Sequence, residues 1–379
     1  MKRIFFPFMI VVLIFILILI FYFWKNSDYD NYTETFPEDS PVSLFRGTIN
    51  RTGVYGDGAT DFQLKEAWHL ESGGRIWSSP VVSENTLFFG SKDNNFYAVD
   101  KDSRQIIWSF KSENEIDSSP AVSFGLVFFG SNDNNLYALD KDTGEKRWVF
   151  ETESDVVSSP VVFNRTVYFG SMDGNLYAVD VESGEQKWVF ESHNRIGASP
   201  AIQDSVVYIG NYGGHFFAVD CETGAEKWKF EAEDSIHSTA AVQNGKVYFG
   251  SKDKNLYALD IKTGEKIWVF ETEGSVWSSP AIADGTLYFG SKDKKVYAVD
   301  AETGEKIWET STENWVVSSP AVWGDKIFVG SMDGHVYSID RKSAEQEKFM
   351  TRGGILSSPY IAGDMLFIGS YDGKLYVLK

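Results

Sequence analysis

The sequence predicts an all-β protein, an eight-bladed β-propeller of four-stranded antiparallel blades, preceded by one transmembrane helix. Three observations carry this: a forty-residue repeat that recurs eight times, four short strand signals in each repeat, and one long uncharged apolar run near the start.

The repeat is marked by Ser78-Ser79-Pro80, which returns as Ser118-Ser119-Pro120 and Ser158-Ser159-Pro160. It continues as Ala198-Ser199-Pro200, Ser238-Thr239-Ala240, Ser278-Ser279-Pro280, Ser318-Ser319-Pro320 and, one residue early, Ser357-Ser358-Pro359. Seven of the ten prolines stand at this one repeat position, which chance does not produce. Within the third copy the strand signals are 158–162, 166–171, 175–180 and 187–191, rich in β-branched and aromatic residues. The second and third are apolar on both faces, as expected of blades sandwiched between neighbours. Asp173-Gly174 and its equivalents suit tight hairpins. Asp-x-x-Thr/Ser-Gly, as at Asp180 to Gly184, suits a turn in which the Asp caps backbone N–H groups and the Gly takes positive φ.

Ring closure follows from the ends of the repeat array. The last copy stops after its third strand, and an orphan fourth strand surrounds Trp68. The segment near Leu64 to Leu70 should therefore complete the blade started at Leu356 and remove the exposed edges.

The fourth strands carry Trp108, Trp148, Trp188, Trp228, Trp268 and Trp308, forty residues apart, with Trp68 as the orphan's member. With the turn before them they form Ala-x-Asp-x-x-Thr-Gly-x-x-x-Trp, in five near-complete consecutive copies beginning with Ala138 to Trp148. This resembles the tryptophan-docking motif of the pyrroloquinoline-quinone-type (PQQ-like) β-propeller repeat family, over residues 62–379. Phe45-Arg46-Gly47 and Arg51-Thr52-Gly53 resemble a segment that often precedes the propeller in that family. The resemblance implies that each indole docks on the neighbouring blade as a structural residue, and Gly170 and Ala178 are small residues beside which an indole would fill the gap. Three copies depart from the pattern. Copy one reads Ser103-Arg104 without the Gly. Copy four has Gly213 for the hairpin Asp. Copy eight is a residue short, and its fourth strand offers Phe349 with no Trp.

The resemblance implies two kinds of function. One is a quinoprotein dehydrogenase holding quinone and calcium in the propeller mouth; the other is a non-catalytic scaffold of the BamB type. Cys221, the one cysteine, has no partner for a quinone-stacking disulfide, and repeats of near-constant length leave no room for the long insertions that wall the cofactor. The five histidines lack metal-ligand spacing, and no nucleophile-elbow or phosphate-loop motif occurs. The hairpin Asp residues recur once per blade, so no two should converge on one calcium; turn capping is the expected role. No cofactor, metal or catalytic residue is therefore assigned, and quinone with calcium belongs to the alternative reading.

Specificity is expected where a strict repeat varies. The residue before Ser-Ser-Pro reads Trp77, Asp117, Val157, Gly197, His237, Trp277, Val317 and Leu356. The loop ahead of it varies too, with Arg75, Glu115, Asp155, Arg195 and Trp315. Because the first strand is innermost, these residues should ring one channel mouth. Arg75, Trp77, Glu115, Asp117, Arg195, His237, Trp277 and Trp315 form the candidate protein-binding surface, with binding of a small ligand or polysaccharide as another alternative. Trp77 and Trp277 lie outside the docking motif and are expected to stay clear of blade interfaces.

Residues 1–3 form a basic cytoplasmic start. Residues 4–24 are apolar and uncharged, long enough to span the hydrocarbon core, and no small-residue cleavage site follows. Residues 25–61 are an acidic tether and lead-in. The basic flank stays inside, so the propeller at 62–379 is expected outside the cytoplasm, periplasmic or at the cell surface, as a monomer with a protein partner. Net charge −19 argues against nucleic acid. Sequons stand at Asn31, Asn50 and Asn164.

Overall fold

The computed structural model describes residues 43–56 and 62–379. The apolar run 4–24, its tether up to residue 42 and Asn31 lie outside the described residues. The described residues form eight antiparallel sheets and no helix. Blades are numbered here by their Ser-Ser-Pro copy. Blade three is a meander of Val161–Phe163, Thr166–Gly170, Asn175–Asp180 and Gln186–Glu191. Its two middle strands are buried on both faces, apart from their end residues, because blades two and four cover them. Blade eight joins Tyr360–Ala362, Met365–Gly369 and Lys374–Leu378 to Glu66–Glu71, with Trp68 opposite Val377. The orphan strand closes the ring.

The innermost strand begins later than the sequence reading placed it, at Val161 and not Ser158. The Ser-Ser-Pro residues bond around the ring instead of along a ladder. The N–H of the second serine of each blade donates to the hydroxyl of its counterpart in the next: Ser79 to Ser119, Ser119 to Ser159, Ser159 to Ser199, Ser199 to Thr239, Thr239 to Ser279, Ser279 to Ser319, Ser319 to Ser358 and Ser358 back to Ser79, at 2.8–3.3 Å. This closed belt satisfies backbone donors that no strand reaches, in a neck where the serines are buried. Copy five keeps the acceptor because Thr239 also carries a hydroxyl.

The tryptophans bridge blades as the resemblance implied, but on a different floor. From Trp108 to Trp308 each indole N–H donates to a carbonyl 33 residues on, in the next blade's outer turn, as in Trp148 to Val181, Trp188 to Cys221 and Trp228 to Ile261. The ring lies on that turn's glycine. A Cβ at Gly184, where φ is +71°, would come within 2.7 Å of the Trp148 ring, so Gly serves both the backbone and the docking. Gly170 is not part of this slot; its missing Cβ makes room for Ile196. Ala178 pairs across the sheet with Trp188 of its own blade.

Two of the three departures lie at the ring's seam, and Gly213 stands apart from them in blade four. Phe349 lies on Gln346–Met350, which is the fourth strand of blade seven, and it pairs with Val336. The tryptophan register there is held by Glu347, opposite Ser338. Blade eight takes its fourth strand from Glu66–Glu71, so no outer turn exists there to receive an indole. On the other side of the seam, Arg104 replaces the docking glycine and sets its guanidinium 5.9 Å from the Trp68 ring centre.

The lead-in occupies the channel. Ser43–Leu44 adds a fifth strand inside blade two, Leu44 opposite Ala121. The chain then circles: carbonyls of Ile49, Asn50, Thr52 and Gly53 accept N–H groups of Ile202, Val242, Ile282 and Val322, in blades four to seven. These bonds pair inner edges that would otherwise stand open. Arg51 is wholly buried and donates to carbonyls of Phe45, Ser159, Pro160 and Pro200; Arg46 donates to Arg51, Ser279 and Pro280. Two guanidinium forks thus tie blades three, four and six to one segment without a carboxylate. Burial pulls both down, Arg46 to about 10 and Arg51, also beside Arg46, to about 9. The Asn50 sequon is enclosed here, since Arg51 and Thr52 are buried, whereas Asn164 stands exposed on a turn of blade three.

Candidate functional site at the channel mouth

Each inner strand runs away from its Ser-Ser-Pro, which places the loop before that triplet and the hairpin carrying the repeated Asp at one end of the ring. The lead-in enters and leaves at the other end. The hairpin Asp is committed to structure: Asp93 accepts from the N–H of Gly73 and Asn95 and from the Tyr97 hydroxyl, and Asp133, Asp253, Asp293, Asp333 and Asp372 repeat much of this pattern. It caps the hairpin and fastens it to the preceding loop.

All eight candidate residues stand on this end, but they do not form one uniform surface. Blades four to seven carry an aromatic stack. Tyr212 lies 4.0 Å from His237, and His237 lies 4.4 Å from Trp277, nearly parallel at 2°. Lys292 sits 3.1 Å above the Trp277 ring and 4.7 Å from that of Trp315, which is 47% exposed. Gly197 permits this stack, because a Cβ there would collide with the Tyr212 hydroxyl. At the seam, Trp77 stacks on Tyr371 at 5.5 Å and carries Lys92 at 3.7 Å on its other side, while Arg75 covers Tyr371. Lys92 pairs with Glu115 and, at 2.8 Å, with Asp117. Trp77 and Trp277 therefore do span neighbouring blades, contrary to the expectation that they would stay clear of the joints. Their indole N–H groups are enclosed and find no acceptor among the described residues.

A third variable ring completes the site: Lys92, Asn132, Met172, Tyr212, Lys252, Lys292, Met332 and Tyr371, each just before the hairpin Asp or, at Tyr212, its Gly213 replacement. Sequence reasoning passed over it, although its signal was the same variation inside a strict repeat. Arg195 is exposed beside this ring. Charge is unevenly spread. Burial and then Asp117 raise the Asp155 carboxyl, whereas burial, Lys252 and Lys292 push His237 down to about 4, leaving it neutral at ordinary pH.

Residues 178–379, more than half of the chain, match the family described as Beta-alanine-activating enzyme, beta-propeller, and residues 60–192 match the one described as Outer membrane protein assembly factor BamB. The chain belongs to the PQQ-like β-propeller family. No curated protein matches it in sequence. Among solved structures, this PQQ-like propeller is similar to BamB from Moraxella catarrhalis, with 22% identity over 84% of this chain and 100% of that one and a TM-score of 0.72. It is also similar to a europium-containing methanol dehydrogenase, with 15% identity over 90% and 98% of the two chains and a TM-score of 0.78. The quinohemoprotein alcohol dehydrogenase from Comamonas testosteroni gives 14% identity, 88% and 79% coverage, and a TM-score of 0.76. At these identities the likeness is one of fold.

The mouth's residues do not fit a quinone with its cation. Two of its carboxylates, Glu115 and Asp117, are already neutralised by Lys92, burial and Asp117 push Asp155 toward its neutral form, and no cluster of three His, Cys, Asp or Glu able to hold a metal occurs among the described residues. Cys221 is buried in the outer turn of blade four, away from the mouth.

Proposed function

We propose that this PQQ-like propeller is a non-catalytic scaffold, anchored by residues 4–24 and held outside the cytoplasm, which binds a protein of the envelope or cell surface through its channel mouth. The observation that carries the reading is the contrast between the channel's two ends. The chain's own segment 43–56 closes one. The other presents unlike aromatic and charged side chains on blades that are otherwise copies. The similarity to BamB, an assembly factor by its description, agrees with a protein-binding role.

The test is co-purification from membranes after cross-linking, using the full chain. Trp315→Ala with Arg195→Ala removes two exposed side chains that lie outside the docking slots, the serine belt and the bonds of the lead-in. Loss of aromatic and Arg anchors costs about 2 kcal/mol or more each, roughly thirty-fold in affinity. The partner should be lost at unchanged melting temperature. Recovery of the same proteins in the same yield would move the working surface elsewhere. Protease added to intact spheroplasts should digest the propeller, and full protection would refute its export.

A further inference from the structure

Resting on the platform reading, we infer that the mouth over blades five to seven is a seat for paired carboxylates on an acidic segment of the protein partner. The repeat supplies its own control. Lys92, Lys252 and Lys292 occupy the same position in blades one, five and six. Lys92 is met by two carboxylates from the next blade, Glu115 and Asp117. The positions that face Lys252 in the same way are Ser275 and Trp277, and those that face Lys292 are Trp315 and Val317. Neither Lys252 nor Lys292 makes an ion pair among the described residues. One copy of the device is thus neutralised from within, and two are left for a counter-charge from outside.

Three further features point the same way. Two half-buried lysines without a carboxylate are out of character in a chain of net charge −19. They act on each other: burial and then Lys252 lower Lys292, so an incoming carboxylate relieves a repulsion. The stacked rings of Tyr212, His237 and Trp277 run beside them and offer an apolar floor for an aromatic neighbour of the acidic residues. An acidic peptide with an aromatic side chain matches both parts. Blade one shows the expected arrangement, carboxylates on a lysine that lies over an indole.

The experiment is fluorescence anisotropy on the full chain in neutral detergent, with a labelled Asp-Glu-Phe-Asp-Glu peptide and its uncharged twin Asn-Gln-Phe-Asn-Gln. At low salt the acidic peptide should bind at least tenfold tighter, and the advantage should shrink at 0.5 M salt, where charges are screened beyond about 4 Å. Lys252→Gln with Lys292→Gln should remove the advantage, and Lys92→Gln should leave it. Ser275→Glu with Val317→Asp keeps both lysines but gives each of them one of the two carboxylates that blade two gives Lys92; it should also remove the advantage. Equal binding of the two peptides, or an advantage that survives in both double variants, overturns the inference. So does tight binding of an oligogalacturonate in place of the peptide. If the peptide result is negative while Trp315→Ala with Arg195→Ala still loses the membrane partner, the carboxylate seat falls and the platform reading stands. If the peptide result is positive while that variant keeps its partner, the carboxylate seat stands for an acidic segment, and the claim that Trp315 and Arg195 anchor the membrane partner falls.

Discussion

The two ends of the channel are made from the same eight inner strands and differ in what meets them. At one end, a single segment bonds the inner strands of blades two and four to seven along its backbone and reaches blades three, four and six with two arginine forks, so those blades present like groups to it. At the other, none of the described residues spans the opening, and adjacent copies hold Trp, Asp, Val, Gly and His at one position. Uniformity is kept where blades share a common bonding partner, and variety appears where each blade faces solvent or a ligand alone.

The largest effect should come from the docking tryptophans. Trp228→Ala removes a buried ring and its bond to Ile261, and should cost about 3–5 kcal/mol by denaturant titration. Glu347→Ala, at the same register in blade seven, should cost next to nothing; equal losses would show that the docking role is not local to the indole. Arg51→Met should follow, at about 3 kcal/mol or more, because it strands carbonyls of blades three and four in a buried site. Arg51→Lys should recover little of it, since an ammonium cannot fork to blades three and four at once. Ser159→Ala breaks one link of the neck belt by depriving the Ser119 N–H of its acceptor, at a cost of roughly 1–3 kcal/mol; Ser159→Thr should restore it, as Thr239 does naturally.

Acid should loosen all the outer turns together. Asp220 is held down to about 2 by Lys227 and the Thr223 N–H, and Asp340 to about 2 by the Ser343 N–H. Asp260 and Asp300 are lowered by the N–H groups of Thr263 and Thr303. A carboxyl that is lower in the folded state stabilises above its unfolded value near 4 and loses that contribution as pH falls toward 2. The melting temperature should therefore drop across that window, and Asp220→Asn should flatten the drop. The smallest change belongs to the open mouth: Trp315→Ala should alter stability by no more than about 0.5 kcal/mol. A loss comparable with that at Trp228 would erase the distinction between the two ends.

Most of the architecture was legible because it is periodic. The forty-residue spacing, the hairpin and outer-turn signatures and the orphan Trp68 strand each map to a local feature, and the structure places them accordingly. What was not legible depends on geometry around the ring. Arg46 and Arg51 sit in an aperiodic stretch, and arginine ordinarily argues for exposure; only the closed channel shows the neck carbonyls of blades three, four and six awaiting donors. The second serine of each triplet was visible as a marker, but its bond reaches the residue forty positions away, a relation that needs blade-to-blade spacing. Trp77 and Trp277 were read as facing one channel mouth, but their contacts with Tyr371, Lys92 and Lys292 involve the residues before the hairpin Asp, whose variation had gone unread.

The segment that closes the channel also fixes an order of events. Residues 43–56 precede every blade in the chain, so they are synthesised before any wall of the enclosure they will fill. The blades can then be laid down around a core that is already present, and the last seam, Glu66–Glu71 against Lys374–Leu378, shuts the enclosure. Moving the same fourteen residues behind Lys379 would preserve every contact on paper but require a finished ring to be threaded from below, with two cations drawn through a neck lined by serines. Assembly of such a permuted chain would be slow even where its final stability was unchanged.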